Sequence, residues 1–260
     1  AWMDRATTLI QLPHGLVAVA ISLAVLPTLS RQSASDDQEG FRRTLGLGLR
    51  LVLVLIIPAT LALLVMAEPI TSLIFEHGKF TANDTFWTGW ALRCYLAGLV
   101  FAAIDWPLNY AFYARQDTLT PALVGILSVG VYLAVALALI KPLGMLGLVL
   151  ADSAKHFSHA ISMLILTWRR IGNLSDQKLG QTAAKALLAS AVMAALIALA
   201  LHATNRFSGL GGFAGQLLAV LLPVGIGTLA FLVLSSVLRI EEISRLRVMV
   251  QQRLRRPNLD

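Results

Sequence analysis

Charge is scarce in this sequence and cysteine is nearly absent. Only 13% of the 260 residues are charged, about half the usual share of a soluble domain. That shortage excludes a water-soluble globule. Cys94 is the single cysteine, so neither an intrachain disulfide nor a cysteine-based metal cluster can form. A glycine-rich phosphate loop, an ordered Ser/His/Asp set and a metal-binding motif are all lacking, and the chain reads as a non-enzyme without a cofactor. Aromatic residues do not interleave with basic ones as an RNA-reading surface requires, so the net charge of +7 does not point to nucleic acid. The sequence also lacks an initiating Met and the ordered regions of a signal peptide. It starts at the edge of a hydrophobic segment, and the expectation is that the protein continues upstream.

Apolar residues are abundant: 57% of the chain, with a mean hydropathy of +0.74. About 20 apolar residues cross a bilayer. Seven such segments can be read, near residues 7–29, 45–65, 86–113, 120–140, 143–168, 183–201 and 213–238. They are long and continuous, as helices are, and do not alternate like barrel strands. The fold class is therefore an all-α integral membrane protein with about seven transmembrane helices.

The connections alternate in charge. The odd connections and the tail carry fifteen basic residues, and the even connections carry three, Lys79, Lys141 and Arg206. Basic loops stay in the cytoplasm, which places the odd loops and the C-terminus inside. Residues 172–240 read as two additional helices and 241–260 as a basic tail. Ile240, Ile243, Leu246, Val250 and Leu254 recur at helical spacing, as in a helix lying on an anionic leaflet or in a plain solvated extension. In the first connection a helix is predicted to start near Gln38. In the second, Ile70, Leu73, Ile74 and Phe75 suggest a short amphipathic element in the outer interface. Thr81 and Asn83 are candidate N-caps.

Three stretches carry a resemblance. "DRATTLIQLPHGLVAVAISLAVLPTLSR" has a D-R pair, a P-x-G and a small-residue run ending in L-P-x-L-S. "LIFEHGKFTANDT" has an F-x-x-G-x-F core. "FYARQDTLTP" fits Y-x-R-x-D-x-x-T-P. In this order, over about Asp4 to Arg170, the sequence resembles the MurJ/MviN family of lipid II flippases, within the multidrug/oligosaccharidyl-lipid/polysaccharide exporter superfamily. The resemblance implies fourteen helices in the whole protein, two six-helix lobes plus two C-terminal helices, with this chain supplying helices eight to fourteen. Residues 1–171 would then be second-lobe helices. It further implies a bacterial cytoplasmic membrane, a lipid-linked disaccharide-peptide substrate moved by alternating access in cell-wall biogenesis, membrane lipids and a first lobe as partners. Coupling to the membrane potential or a monovalent ion stays open. The alternatives are an ion-coupled drug antiporter, a polysaccharide-lipid flippase, or a non-transporting membrane scaffold.

Arg5 matches the family arginine of the central cavity, which implies contact with the pyrophosphate. Arg keeps its charge and offers a planar fork to phosphate oxygens, and Asp4 would orient it. Without the resemblance, the pair reads as an interfacial anchor. Pro13 and Gly15 suggest a hinge or a static kink. Arg93 reads as a snorkelling residue. Asp105 lies deep in the third segment, beside Trp106 and Pro107. It is either a proton or cation site or a structural hydrogen bond at the Pro107 break. Asp152, Lys155, His156 and His159 share one helical face. Asp152 and Lys155 are expected to pair, and the stripe to face a cavity or an adjacent helix. It is a poor metal site. Arg115 and Asp117 read as a turn-stabilising ion pair or as a gating contact.

Overall fold

The structure, a computed structural model, describes residues 1–207 and 213–243, with side chains outside 205–207 and 213–214. The tail residues Leu246, Val250 and Leu254 lie outside the described residues. Among the described residues every regular element is helical.

The first rod runs from Trp2 to Ala34. It consists of α1 (Trp2–Pro13), a π-helical turn (His14–Val19) and α2 (Ala20–Ala34). The irregularity follows Pro13 directly. Proline has no N–H to give the carbonyl one turn back, and the wider π-helical turn takes up the interrupted ladder.

Helix α3 spans Gln38–Phe75, starting where the sequence predicts, with the Asp37 side chain accepting from Gly40 N at 2.8 Å. The short outer element expected at Ile70–Phe75 does not exist. Helix α3 passes Pro58 and Pro69 and ends at Phe75. Met66, Ala67 and Thr71 stay buried on either side of Pro69, so packing holds the last turns in line. Helix α4 (Ala82–Ala114) is capped at Thr81, whose N and Oγ1 both donate to Asp84 at 2.8 Å. Asn83 sits inside its first turn. Helices α5 (Leu119–Leu143) and α6 (Met145–Arg170) meet at Gly144, whose φ of +54° favours glycine. A 3-10 turn (Ser175–Gln177) leads to α7 (Leu179–Phe207), and α8 (Phe213–Val237) follows.

Six of the long helical rods are apolar enough to cross a membrane. Helix α6, with its polar stripe, falls short of that apolarity, but it spans 26 residues, about 39 Å at 1.5 Å per residue. The helices pack in the order α5–α6–α4–α3–α7–α8, and the α1–α2 rod lies on α3 and α4. The main core joins Phe41, Leu45 and Leu49 of α3 to Leu92, Leu96 and Leu108 of α4 and Met163 of α6. A second cluster, around Met66, Met193, Ile197 and Phe231, seats α7 and α8 on α3.

One end carries a cluster of tryptophan and phenylalanine rings, a residue type common at membrane interfaces. Trp2 stacks on Trp87 with ring centres 6.0 Å apart and donates to Asp84 at 2.7 Å. Phe86 meets Trp87 and Trp90 edge-on. The opposite end collects arginines. There Arg50 pairs with Glu242 at 2.7 Å and donates to Gln177 O, both side chains largely buried. This pair fastens the residues after α8 to α3.

Helices α4 and α6 approach closely at Gly98. A Cβ there would stand 2.7 Å from Ser153 Cα. Ser153 Oγ donates to Cys94 O at 2.7 Å. Small residues permit such an approach, and a hydroxyl bond fixes it. Substituting Gly98→Val should force the helices apart and cost about 1–3 kcal/mol, read as a lowered thermal unfolding midpoint of the purified protein. An unchanged midpoint would contradict the assigned contact.

Candidate functional site

The first candidate lies at the aromatic end. Asp4 and Arg5 are both exposed on α1. They do not pair, because successive helical residues point in different directions. The Asp4 carbonyl accepts from the Thr7 and Thr8 hydroxyls, and Asp4 does not orient the guanidinium. Arg5 lies instead over the Phe75 ring, 5.3 Å from its centre. A cation–π contact leaves the N–H donors of arginine free. Among the described residues no hydrogen bond or ion pair engages that side chain.

The second candidate is inside the helix layer. Asp105 is buried on α4, which runs unbroken through Pro107. The hydrogen bond expected at a Pro107 break is therefore not the role the fold gives Asp105. Its carboxylate faces α6. Oδ1 is 3.0 Å from His159 Nδ1, and Oδ2 is 3.9 Å from His156 Nδ1. The short contact is poorly aligned, so Asp105 Oδ1 and His159 Nδ1 lack a directional hydrogen bond. His156 Nε2 is 3.6 Å from Asp152 Oδ2, and Lys155 donates to Asp152 Oδ1, the expected pair. The stripe on α6 thus faces an adjacent helix and its acid.

His14 completes this cluster from the π-helical turn, and the sequence reading passed over it. Trp106 Nε1 lies 3.1 Å from His14 Nε2. An indole N–H only donates, so Nε2 is the acceptor and the His14 proton sits on Nδ1. The contact from Nε2 to Ala102 O at 3.3 Å is then not a hydrogen bond. A titratable residue between Pro13 and Gly15, in an apolar run, was the available signal. Asn109 could not have been singled out: its buried Oδ1, without a partner, is a fact of packing. Among the described residues no His/Cys/Asp/Glu group suits a metal ion.

Arg93 and Asp105 are apart. Arg93 pairs with Glu68 of α3 at 2.8 Å and lies over Trp90, so neighbouring side chains hold it.

The third candidate, the Arg115–Asp117 turn, is built differently from the expected pair. Arg115 donates to Arg170 O at 3.0 Å and lies over Phe41. Asp117 accepts from Thr120 N and Oγ1 and from Arg170 Nη1, at 2.6–2.9 Å. The turn is therefore tied to the end of α6, because each long side chain reaches across the helix ends better than back along its own turn. The Thr120 bonds, with Arg170 beside them, hold the Asp117 carboxyl below its usual value. A lowered folded-state value gives stability that is present above the unfolded value of about 4 and is lost as pH falls through the folded one. Asp117→Ala should lower the stability at neutral pH by about 1 kcal/mol, read as a lowered unfolding midpoint. The gap to the unsubstituted protein should narrow below about pH 4. A gap independent of pH would refute the assignment.

Comparison with known proteins places these features. The family model described as "Lipid II flippase MurJ" matches residues 1–218. A probable lipid II flippase MurJ of Bdellovibrio bacteriovorus is 30% identical over 246 residues, which is 95% of this chain and 46% of that protein. One from Thermotoga maritima is 31% identical over 94% of this chain and 47% of its own length. A solved structure, "Lipid II flippase MurJ, inward closed conformation", superposes with a TM-score of 0.73 at 25% identity, covering 91% of this chain and 46% of that one. The chain spans about half the length of these relatives. With a family model matched over most of its residues, this chain belongs to the lipid II flippase MurJ family.

Proposed function

We propose that this chain works in a flippase that moves lipid-linked peptidoglycan precursor across the bacterial cytoplasmic membrane by alternating access. One observation carries the reading. Arg5, on the exposed face of α1, stacks on Phe75 while its N–H donors stay free. Such a guanidinium is preset in position and suited to the oxygens of a diphosphate. A cationic drug would call for an acid at this place. Thr8 and Gln11 are exposed further along α1 and extend the polar face.

The first lobe would stand against this face and close the cavity. Residues 1–171 form the second lobe in this reading, and α7 and α8 flank it. The arginine-rich end is the cytoplasmic end, by the positive-inside rule, and the aromatic end faces outward. The π-helical turn after Pro13 is the natural place for α1 to bend, because its backbone ladder is already irregular there. The turn at Asp117, fastened to α6 through Arg170, would move with α6 as one body.

The test is complementation. Cells depleted of their own flippase receive the protein as its source cell produces it, and cell-wall synthesis is measured. The unsubstituted protein should restore growth. Arg5→Ala should lower substrate movement roughly ten- to hundredfold, the effect of losing charged hydrogen bonds. Arg5→Lys should keep part of the activity, since it retains the charge without the fork. Full rescue by Arg5→Ala would remove Arg5 from the substrate site.

A further inference from the structure

A cavity of about 260 Å³ lies between the π-helical turn, α4, α5 and α6. Asp105 stands about 14 Å, nine residues, before the end of α4 at Ala114. Ser128, which lines the cavity from α5, is equally far from the start of that helix. The cluster thus lies roughly two and a half turns inside the nearer end of each helix.

The charges there do not balance. Asp105 and Asp152 bring two negative charges, and Lys155 brings one positive charge. His14 accepts a hydrogen bond from Trp106 and so enters as a neutral ring. The remaining titratable groups that face the cluster are His156 and His159 of α6, Tyr95 of α4 beside Asp152, and Tyr132 of α5 beside Tyr95. With neutral rings the cluster carries one net negative charge. A net charge at this depth is costly.

His156 stands between the two acids. Each of its nitrogens faces a carboxylate oxygen, Nδ1 toward Asp105 at 3.9 Å and Nε2 toward Asp152 at 3.6 Å. A neutral imidazole has one donor and one acceptor. One lone pair would then point at a carboxylate. The imidazolium carries an N–H on each side. The distances exceed those of direct hydrogen bonds, so added charge on His156 would draw α6 toward α4.

The residues are also graded by access. Asp152 and His156 side chains are about 30% exposed, whereas Asp105 is 10% and His159 14% exposed. Buried oxygens of Asp105 and Asn109 have no hydrogen-bond partner. A proton arriving at Asp152 can pass to His156 and be stabilised by Asp105, whose Oδ1 lies 3.0 Å from His159 Nδ1 on the other side.

We propose that Asp105, His156 and His159 form a one-proton site, loaded through Asp152, and that this proton is the coupling ion of the transporter. Its binding tightens α6 against α4, and its release loosens them. The coupling role rests on the flippase reading, whereas proton binding does not.

Two measurements separate these parts. The first uses the purified protein in lipid nanodiscs and pH-difference infrared spectroscopy. Imidazole and carboxylate bands should change together as the pH is varied, with about one proton taken up per chain. Asp105→Asn and His156→Gln should each abolish that uptake. Either variant suffices if the other fails to fold. The second follows substrate movement by the protein as its source cell produces it, in vesicles under an imposed pH gradient. The unsubstituted protein should change rate several-fold between about pH 6 and 8, and Asp105→Asn less than about twofold. Infrared uptake equal in all three proteins would overturn the site. So would bands that respond to sodium at fixed pH, which would mean a metal cation. Substrate movement without any proton uptake would overturn the site and leave the flippase reading intact. Uptake without movement of substrate would support the site and refute the flippase reading.

Discussion

The approach of α4 to α6 at Gly98 and Ser153 is the contact on which the middle of this protein depends. Helices in lipid gain little from hydrophobic burial against each other, since lipid tails are as apolar as leucine. Close backbone contact and polar bonds must hold them. Gly98 leaves room for Ser153, and Ser153 Oγ ties back to Cys94 O. Two turns further along α4 the same alignment brings Asp105 opposite His159 and His156. Without the close approach, Asp105 and His159 would lose each other inside the helix layer, where lone charges are poorly tolerated.

The ends of the layer follow a different logic. At one end the contacts are aromatic, with Trp2, Trp87, Phe86 and Trp90 touching one another and Arg5 lying over Phe75. At the other, ion pairs stand beside the aromatic contacts: Arg50 with Glu242, and Arg170 with Asp117. Each end fastens the helices beside it, while the α1 face between them stays exposed at Arg5, Thr8 and Leu16. An exposed polar-to-apolar face on a rod broken by a π-helical turn is suited to a surface that must move.

Much was legible without coordinates. Seven apolar runs became long helices, and Gln38 and Thr81 marked helix starts because their neighbours carry the right capping groups. The Asp152–His159 stripe could be read from helical spacing, and Pro13 marked the irregular turn. Partners across helices were not legible. Nothing in the order of residues says that Asp117 meets Arg170 rather than Arg115, that Arg93 meets Glu68, or that Asp105 meets two histidines more than fifty positions away. Ile70 to Phe75 misled because a proline before an amphipathic stretch looks like a break, while buried neighbours kept α3 continuous.

The sequence by itself determined that this is a helical membrane protein. Apolar run length and backbone hydrogen bonding in lipid allow no other form. It also determined, through three ordered motifs, the family to which the chain belongs. Tertiary structure alone decided the partners of the buried ions. Pairing across helices depends on which faces meet and at what height. That is set by small residues such as Gly98 and by a turn such as His14–Val19, whose effects appear only when the helices are packed together.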